Sequence, residues 1–273
     1  MTPFSVSMCV YGKDNPVFFK QAVESVLDQT VKPSEVVLVV DGPVPTELDE
    51  VIIDYEQNPI FNVVRLEKNQ GHGIARQTGL EKCSYNLVAI MDADDINVQN
   101  RFELQLKKFE QDSSLDIVGG YTSHFVNNPQ KESDIHKVPK EDAAIKIYLK
   151  KRCPMRQNTV MFKKKSVIAV GGYQDWFCNE DYFLWIRMVL AGMRFANVPY
   201  VLVHAREGLE RFKRRGGMKY FASNAKIQWY MYNKKLISFP RCVYNIAIRF
   251  GAQVLMPNRI RGIITGLFAS KRV

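Results

Sequence analysis

Apolar residues along this chain come in short continuous runs, each followed by a stretch with helical spacing. Phe4 to Val10 is apolar and β-rich, Asn15-Pro16 supplies a helix cap and a first-turn proline, and Phe18, Ala22 and Val26 line one helix face to about Gln29. Val36 to Val40 has no polar residue, as expected for a strand covered on both faces in a parallel sheet, and it ends at Asp41-Gly42. A helix over Thr46 to Gln57, a strand over Phe61 to Leu66 and a helix opened by Gly71-His72-Gly73 and running to Lys82 follow. Leu87 to Met91 is the fourth strand. Four repeats of strand then helix predict an α/β doubly wound, mostly parallel sheet with its site at the carboxyl ends of the strands.

Beyond this half the pattern loosens. A helix is expected from Val98 to Gln111, capped by Asp95 or Asn97, then a strand from Asp116 to Phe125 and a polar loop from Ser123 to Lys140 over a pocket. Glu141 to Lys151 reads as an amphipathic helix, and Gln157 to Phe162 returns to the sheet. Asn179-Glu180-Asp181 opens a helix whose apolar positions Phe183, Ile186, Val189 and Leu190 repeat at helical spacing. A compact basic loop, Arg211 to Gly217, leads to a helix from Met218 to about Lys234. Leu236 to Met256 is apolar but carries Arg241, Asn245, Arg249 and Gln253, too many polar groups for a membrane span. After Pro257, a stripe of Ile260, Ile263, Ile264, Leu267 and Phe268 flanked by Arg259, Arg261, Lys271 and Arg272 suits an interfacial helix, or a helix packed on the domain.

The 273 residues, with 46% hydrophobic side chains, are enough for one large domain with an appendage. The net charge of +10 is unevenly placed: Lys and Arg against Asp and Glu number 23 to 26 through His204, and 15 to 2 from Ala205 onward. A basic tail of this kind faces nucleic acid or an anionic membrane surface. Its aromatics do not interleave with the cations as a stacking platform and no nucleic-acid motif appears, so nucleic acid is not expected. Five cysteines, odd in number and without paired metal spacing, argue for a reducing compartment and against zinc. The start runs into Phe4–Val10 with no basic n-region and no signal-peptide apolar core, so a cytoplasmic chain is expected.

The candidate chemistry lies in two acid clusters. Asp92, Asp94 and Asp95 crowd the end of the fourth strand, where their repulsion is relieved by a hard cation such as Mg²⁺ or Mn²⁺ shared with a substrate phosphate. Without that ion the segment is an Asp-rich turn handing over to a helix. An EF-hand loop is disfavoured by Ile96 at a ligand position and by the missing glycine. Glu180 and Asp181 at a helix start are either caps favoured by the helix dipole or a carboxylate held at a pocket rim as a base. Gly71-x-Gly73 lacks the third glycine of a dinucleotide loop and follows the third strand.

Four motifs in this order resemble the family 2 glycosyltransferases of GT-A fold, in particular the bacterial subgroup that builds exopolysaccharide, capsule or lipopolysaccharide repeat units. Ser5 to Tyr11 looks like the family's first strand and nucleotide loop, Asn69-Gln70-Gly71-His72-Gly73-Ile74-Ala75-Arg76 like its Asn-x-Gly…Ala-Arg segment, Asp92-Ala93-Asp94 like its Asp-x-Asp, and Glu180-Asp181 like its catalytic dyad. The resemblance implies a GT-A domain over 1–205 and a basic helical region over 206–273. It implies that Val10, Tyr11, Asp14, Asp41, Gly71, Arg76 and Asp92 attend the nucleotide, that Asp94, Asp92 and in some relatives a histidine such as His204 hold Mn²⁺ or Mg²⁺, and that Asp181 beside Glu180 is the base. Here His204 falls after the last strand, where a structural role is the alternative. The Gln-x-x-Arg-Trp motif of processive synthases is absent, which implies addition of a single sugar. Arg214-Arg215-Gly216-Gly217 and Leu255 to Gly262 look like the subgroup's tail. Donor, acceptor and place follow from the same resemblance: a nucleoside-diphosphate sugar, a UDP-sugar first, is transferred with inversion to a lipid-linked saccharide at the anionic inner face of the cell membrane. A metal-dependent sugar nucleotidyltransferase is the runner-up, with Tyr11-Gly12-Lys13-Asp14 a poor phosphate loop for it, and a non-catalytic binding module is the third reading.

Overall fold

In the computed structural model, residues 2–126, 128–129, 134–207 and 216–256 are described. Strands β1 (Phe4–Tyr11), β2 (Glu35–Asp41), β3 (Phe61–Arg65) and β4 (Leu87–Asp92) lie parallel in the order β3-β2-β1-β4. They alternate with α1 (Pro16–Leu27), α2 (Thr46–Glu56) and α3 (His72–Lys82), as the apolar runs predict. Asn15 caps α1, its Oδ1 accepting from the backbone N–H groups of Val17 and Phe18, and Pro16 opens the first turn.

The sheet continues through β8 (Met161–Lys163), β6 (Ile117–Phe125), β9 (Phe195–Arg206) and β5 (Ile96–Asn97), with β7 (Ile135–His136) paired to β6. Parallel pairing holds for the first four strands and for β6 with β9, whereas β8, β5 and β7 run antiparallel to their neighbours. The sheet is therefore parallel-rich and mixed.

Strand alternation divides the core in two. Val6, Met8, Val10, Val36, Leu38 and Val40 pack with α1, α2 and α4 (Arg101–Gln111). Val37, Val39, Val88 and Ile90 pack on the other face with α3, α5 (Asp142–Leu149), α6 (Lys164–Ala169) and α7 (Glu180–Leu190). All five residues of Val36 to Val40 are buried. Each contributes roughly 1.5–3 kcal/mol through apolar burial, so this strand anchors both layers. α8 (Met218–Asn233) and α9 (Phe239–Phe250) add Ile227, Met231 and Cys242 to the second layer, beside the fully buried Trp185.

Several boundaries differ from expectation for identifiable reasons. α4 starts at Arg101 and not Val98, because Ile96 and Asn97 pair with His204 and Val203 of β9 and the Val98 N–H donates to Leu202 O. Neither Asp95 nor Asn97 caps it: Asn97 Oδ1 accepts from the Arg101 guanidinium at 2.6 Å. Gln157–Thr159 is a 3₁₀ turn ahead of β8, and the expected loop from Ser123 begins inside β6. His204 stands within β9, not after it. No described helix is long and apolar enough to cross a membrane. The Arg211 to Arg215 basic loop, with Arg214 and Arg215, and the Ile260 to Phe268 stripe lie outside the described residues.

Candidate active site

Period-two alternation along β4 turns Val88, Ile90 and Asp92 toward α3 and α7. From α3, Arg76 meets Asp92 there, its Nη2 lying 2.8 Å from Asp92 Oδ1. The other arm of the guanidinium is 3.7 Å from Glu180 Oε1, at the start of α7, and His72 Nδ1 is 3.9 Å from the same oxygen. Arg76 is 6% exposed, so one buried cation joins two acid clusters that are far apart in sequence. Burial opposes its charge, but Asp92 and Glu180 outweigh that and hold it protonated. For Glu180, burial raises the proton affinity, Arg76 opposes the rise and Asp181 adds to it.

The turn after β4 separates the three aspartates. Asp94 is exposed at the rim, while Asp95 is buried and accepts from the side chain of Asn158 and, at 2.9 Å, from the Arg206 N–H. Burial, with Asp94 and then Asp92 adding to it, pushes the Asp95 carboxyl up to about 8. Arg206 clamps the turn from the end of β9: its Nε donates to Asp94 O at 3.0 Å, and its guanidinium lies 3.8 Å and 4.6 Å from the ring centres of Phe18 and Phe125. Beneath the rim, the fully buried Arg101 donates to Ile90 O at 2.8 Å, and burial lowers its pKa to about 9 against the pull of Asp92 and Asp95.

The nucleotide residues implied by resemblance gather at the ends of β1 and β2. Asp14 Oδ2 accepts from the Tyr11 N–H at 2.9 Å, closing the turn after β1. Val10 lies in the core, so its side chain faces the α1–α2 layer and only its backbone reaches the strand end. Asp41 is buried and holds the loop before α3: Oδ1 accepts from the Gln70 N–H at 2.7 Å, and Oδ2 from the Gly71 N–H and Asn69 Nδ2, both at 3.0 Å. That approach is close. A Cβ on Gly42, whose φ is +87°, would sit 2.4 Å from the Asn69 nitrogen. Gly71, also at positive φ, is the N-cap of α3.

Asp181 is partly exposed in the first turn of α7, where the helix dipole favours its charge. Its Oδ1 accepts from the Tyr182 N–H, and its Oδ2 lies 3.8 Å from Cys153 Sγ. Cys178, just before this turn, holds a positive φ of 54°, uncommon for a residue with a side chain. His204 Nδ1 is 2.7 Å from Ser123 Oγ across the β6–β9 pair.

Residues 5–171 match the family model "Glycosyl transferase family 2". The chain is 38% identical over 261 residues to an Escherichia coli protein named UDP-Gal:alpha-D-GlcNAc-diphosphoundecaprenol beta-1,3-galactosyltransferase, covering 96% of this chain and 94% of that one. The chain belongs to glycosyltransferase family 2. It is also 33% identical to the amylovoran biosynthesis glycosyltransferase AmsE of Erwinia amylovora, over 94% of this chain and 96% of that one. The fold matches that of S. aureus TarS residues 1–349 in complex with UDP-GlcNAc, with a TM-score of 0.69 and 16% identity, over 92% of this chain and 73% of that 1–349 chain.

In this glycosyltransferase no three His, Cys, Asp or Glu side chains among the described residues are grouped to hold an ion by themselves. The donors nonetheless fit one. Asp92 and Asp94 are hard oxygen ligands, and their charge adds to the burial that raises the neighbouring Asp95 carboxyl. Magnesium-type ions are commonly held by one or two carboxylates with substrate phosphates completing the shell. The sequence places the segment from Cys153 to Asn158 at the pocket without giving either residue a role, and it does not single out Arg206, which comes from a distant segment with no motif and offers only its charge at a strand end as a signal.

Proposed function

We propose that this glycosyltransferase moves a single sugar from a UDP-sugar to a saccharide on a lipid diphosphate, at the cytoplasmic leaflet of the membrane, with Mn²⁺ or Mg²⁺ and inversion of the anomeric carbon. The observation that carries the reading is the buried Arg76 bridge, which sets the Asp92 rim and the Glu180-Asp181 turn on two walls of one site. The name of the E. coli relative supports UDP-galactose as the first donor to try and a diphospholipid-linked sugar as the acceptor.

In this reading Asp94 and Asp92 hold the ion and donor phosphate oxygens complete its shell; His204, hydrogen-bonded to Ser123, is not grouped with them as a third ligand. Bound there, the ion supplies counter-charge to the leaving diphosphate. Tyr11, Asp14 and the loop at Gly71, held by Asp41, frame the nucleotide, and Arg76 adds positive charge behind Asp92. Asp181 accepts the acceptor hydroxyl proton at Oδ2, its Oδ1 being engaged by the Tyr182 N–H. Glu180 keeps Arg76 in place. The oxygen so activated attacks the anomeric carbon on the face opposite the diphosphate.

Purified protein with Mn²⁺, UDP-sugars and a diphospholipid-linked acceptor tests this through UDP release. Asp181→Asn should bind the donor as the unaltered protein does and lose on the order of 10²–10⁴-fold in turnover, as for loss of a positioned base. Undiminished turnover would remove Asp181 from the mechanism.

A further inference from the structure

Helix α9 buries Cys242 and packs Ile246 against the core, yet, unlike a surface helix with a polar outer side, it also turns a broad apolar face outward. Its inward side carries Asn245, which donates to Gln228 Oε1 at 2.7 Å and Lys150 O at 3.0 Å, and Arg249, which donates to Lys151 O at 2.6 Å. Its outward side carries Phe239, Val243, Tyr244 and Ile248, exposed by 52, 49, 55 and 52%. Water therefore meets the apolar side chains. The surrounding charge is of one sign: from Gly216 to Met256 the charged residues are Lys219, Lys226, Lys234, Lys235, Arg241 and Arg249, with no aspartate or glutamate.

We infer that this face of α9 seats the enzyme on the surface of an anionic phospholipid bilayer. The apolar side chains insert among acyl chains while the exposed Lys219, Lys226, Lys234 and Lys235 of the same segment meet lipid phosphates. A second copy of the chain is the poorer occupant, because a symmetric pairing would set this all-cationic region against itself. The inward side of the helix lies near the segment that carries the dyad. Lys150 and Lys151, which α9 binds, precede Cys153 beside Asp181, and Ser223 of α8 accepts from Asn179 at 2.9 Å, immediately before Glu180. The use of the outward face in presenting a lipid-linked acceptor rests on the proposed function; its affinity for lipid does not.

Sedimentation of the full chain with phosphatidylglycerol–phosphatidylcholine vesicles, and with phosphatidylcholine alone, tests the inference. The protein should pellet with the anionic vesicles and remain in solution with the neutral ones. Val243→Asp and Ile248→Asp should each weaken binding on the order of tenfold, the loss expected when one large apolar side chain no longer leaves water. Ile53→Asp, an equally exposed apolar site on α2, should bind normally. Equal binding by all variants, absence of binding by the unaltered protein, or an Ile248-dependent dimer in place of vesicle binding would overturn it. The measurement uses no donor or acceptor, so a failed sugar-transfer assay and a failed lipid assay are read separately.

Discussion

Replacing Arg76 by methionine should strike the joint on which the site depends. The guanidinium is 6% exposed, 2.8 Å from Asp92 and 3.7 Å from Glu180, whose side chains are 33% and 12% exposed. At an effective dielectric of about 20, one pair of charges near 4 Å is worth about 4 kcal/mol, and the Asp92 share is reduced because a third of that side chain meets water. Removing one partner of a buried pair usually costs about 3–5 kcal/mol, and relief of the arginine's own desolvation sets the expectation at about 3 kcal/mol. For a domain of this size that is a fall of roughly 6–12 °C in Tm.

The loss should depend on pH. The Glu180 carboxyl is raised by burial and restrained by Arg76, so the substitution raises it further. A carboxyl raised in the folded state stabilises below its unfolded value, about 4.3, and that contribution is lost as pH rises through the folded value. The deficit of Arg76→Met should therefore shrink on acidification. Urea denaturation at pH 7.5 and pH 4.5, in a double-mutant cycle with Glu180→Gln, measures both effects. A loss below about 1 kcal/mol with no pH dependence and no coupling to Glu180 would refute the bridge as the joint between the two acid clusters.

Asp95 makes a second pH prediction: with its carboxyl at about 8 and no divalent ion present, stability should fall as pH rises from about 4 to about 8, by up to ~1.4 kcal/mol per unit. Asp95→Asn should flatten that slope in a series of urea melts, and superimposable curves would contradict it. Gly42→Ala places a Cβ 2.4 Å from the Asn69 nitrogen at a positive φ, so a loss of about 2–4 kcal/mol together with weaker UDP binding is expected by denaturation and titration. Chelation should stop UDP release, and Asp94→Asn should raise the Mn²⁺ needed for half-maximal rate by more than the ~10–100-fold seen on losing an outer-shell partner, with metal-free melting unchanged.

Alternation of apolar runs with helical stretches was enough to read β1 to β4 and the helices between them, because β1, β2 and β4 are buried on both faces and so carry few polar residues, and edge strand β3 is short and set between two helical stretches. The run from Gln157 to Phe162 does return to the sheet, but only at β8, which is three residues long, too short for a period to show, and is preceded by a 3₁₀ turn over Gln157–Thr159. β9 went unlocated because Asn197 and Pro199 interrupt it and its pairing with β6 shifts register between Gly119 and Thr122. The acids were legible as clusters, since each sits at a strand or helix end. Their common site was not, because Arg76 reaches Glu180 across a separation that no local pattern encodes. Periodicity likewise reports that α9 has two unlike faces, but which face meets the protein is decided by Lys150 O, Lys151 O and Gln228.

The Asp41 carboxylate has a consequence in conformational entropy. By engaging Asn69, Gln70 and Gly71 at once it fixes a three-residue loop before any nucleotide arrives. Ordering a residue costs roughly 1–2 kcal/mol, so about 3–6 kcal/mol of restriction is met when the chain folds and is not subtracted from donor affinity. Asp41 ends β2, which lies between β3 and β1 and is buried from Val36 to Val40, so the loop can loosen only as far as β2 itself frays. Under the proposed function the donor pocket thereby inherits the rigidity of this buried strand, and encounter with the nucleotide becomes docking into a shape already set.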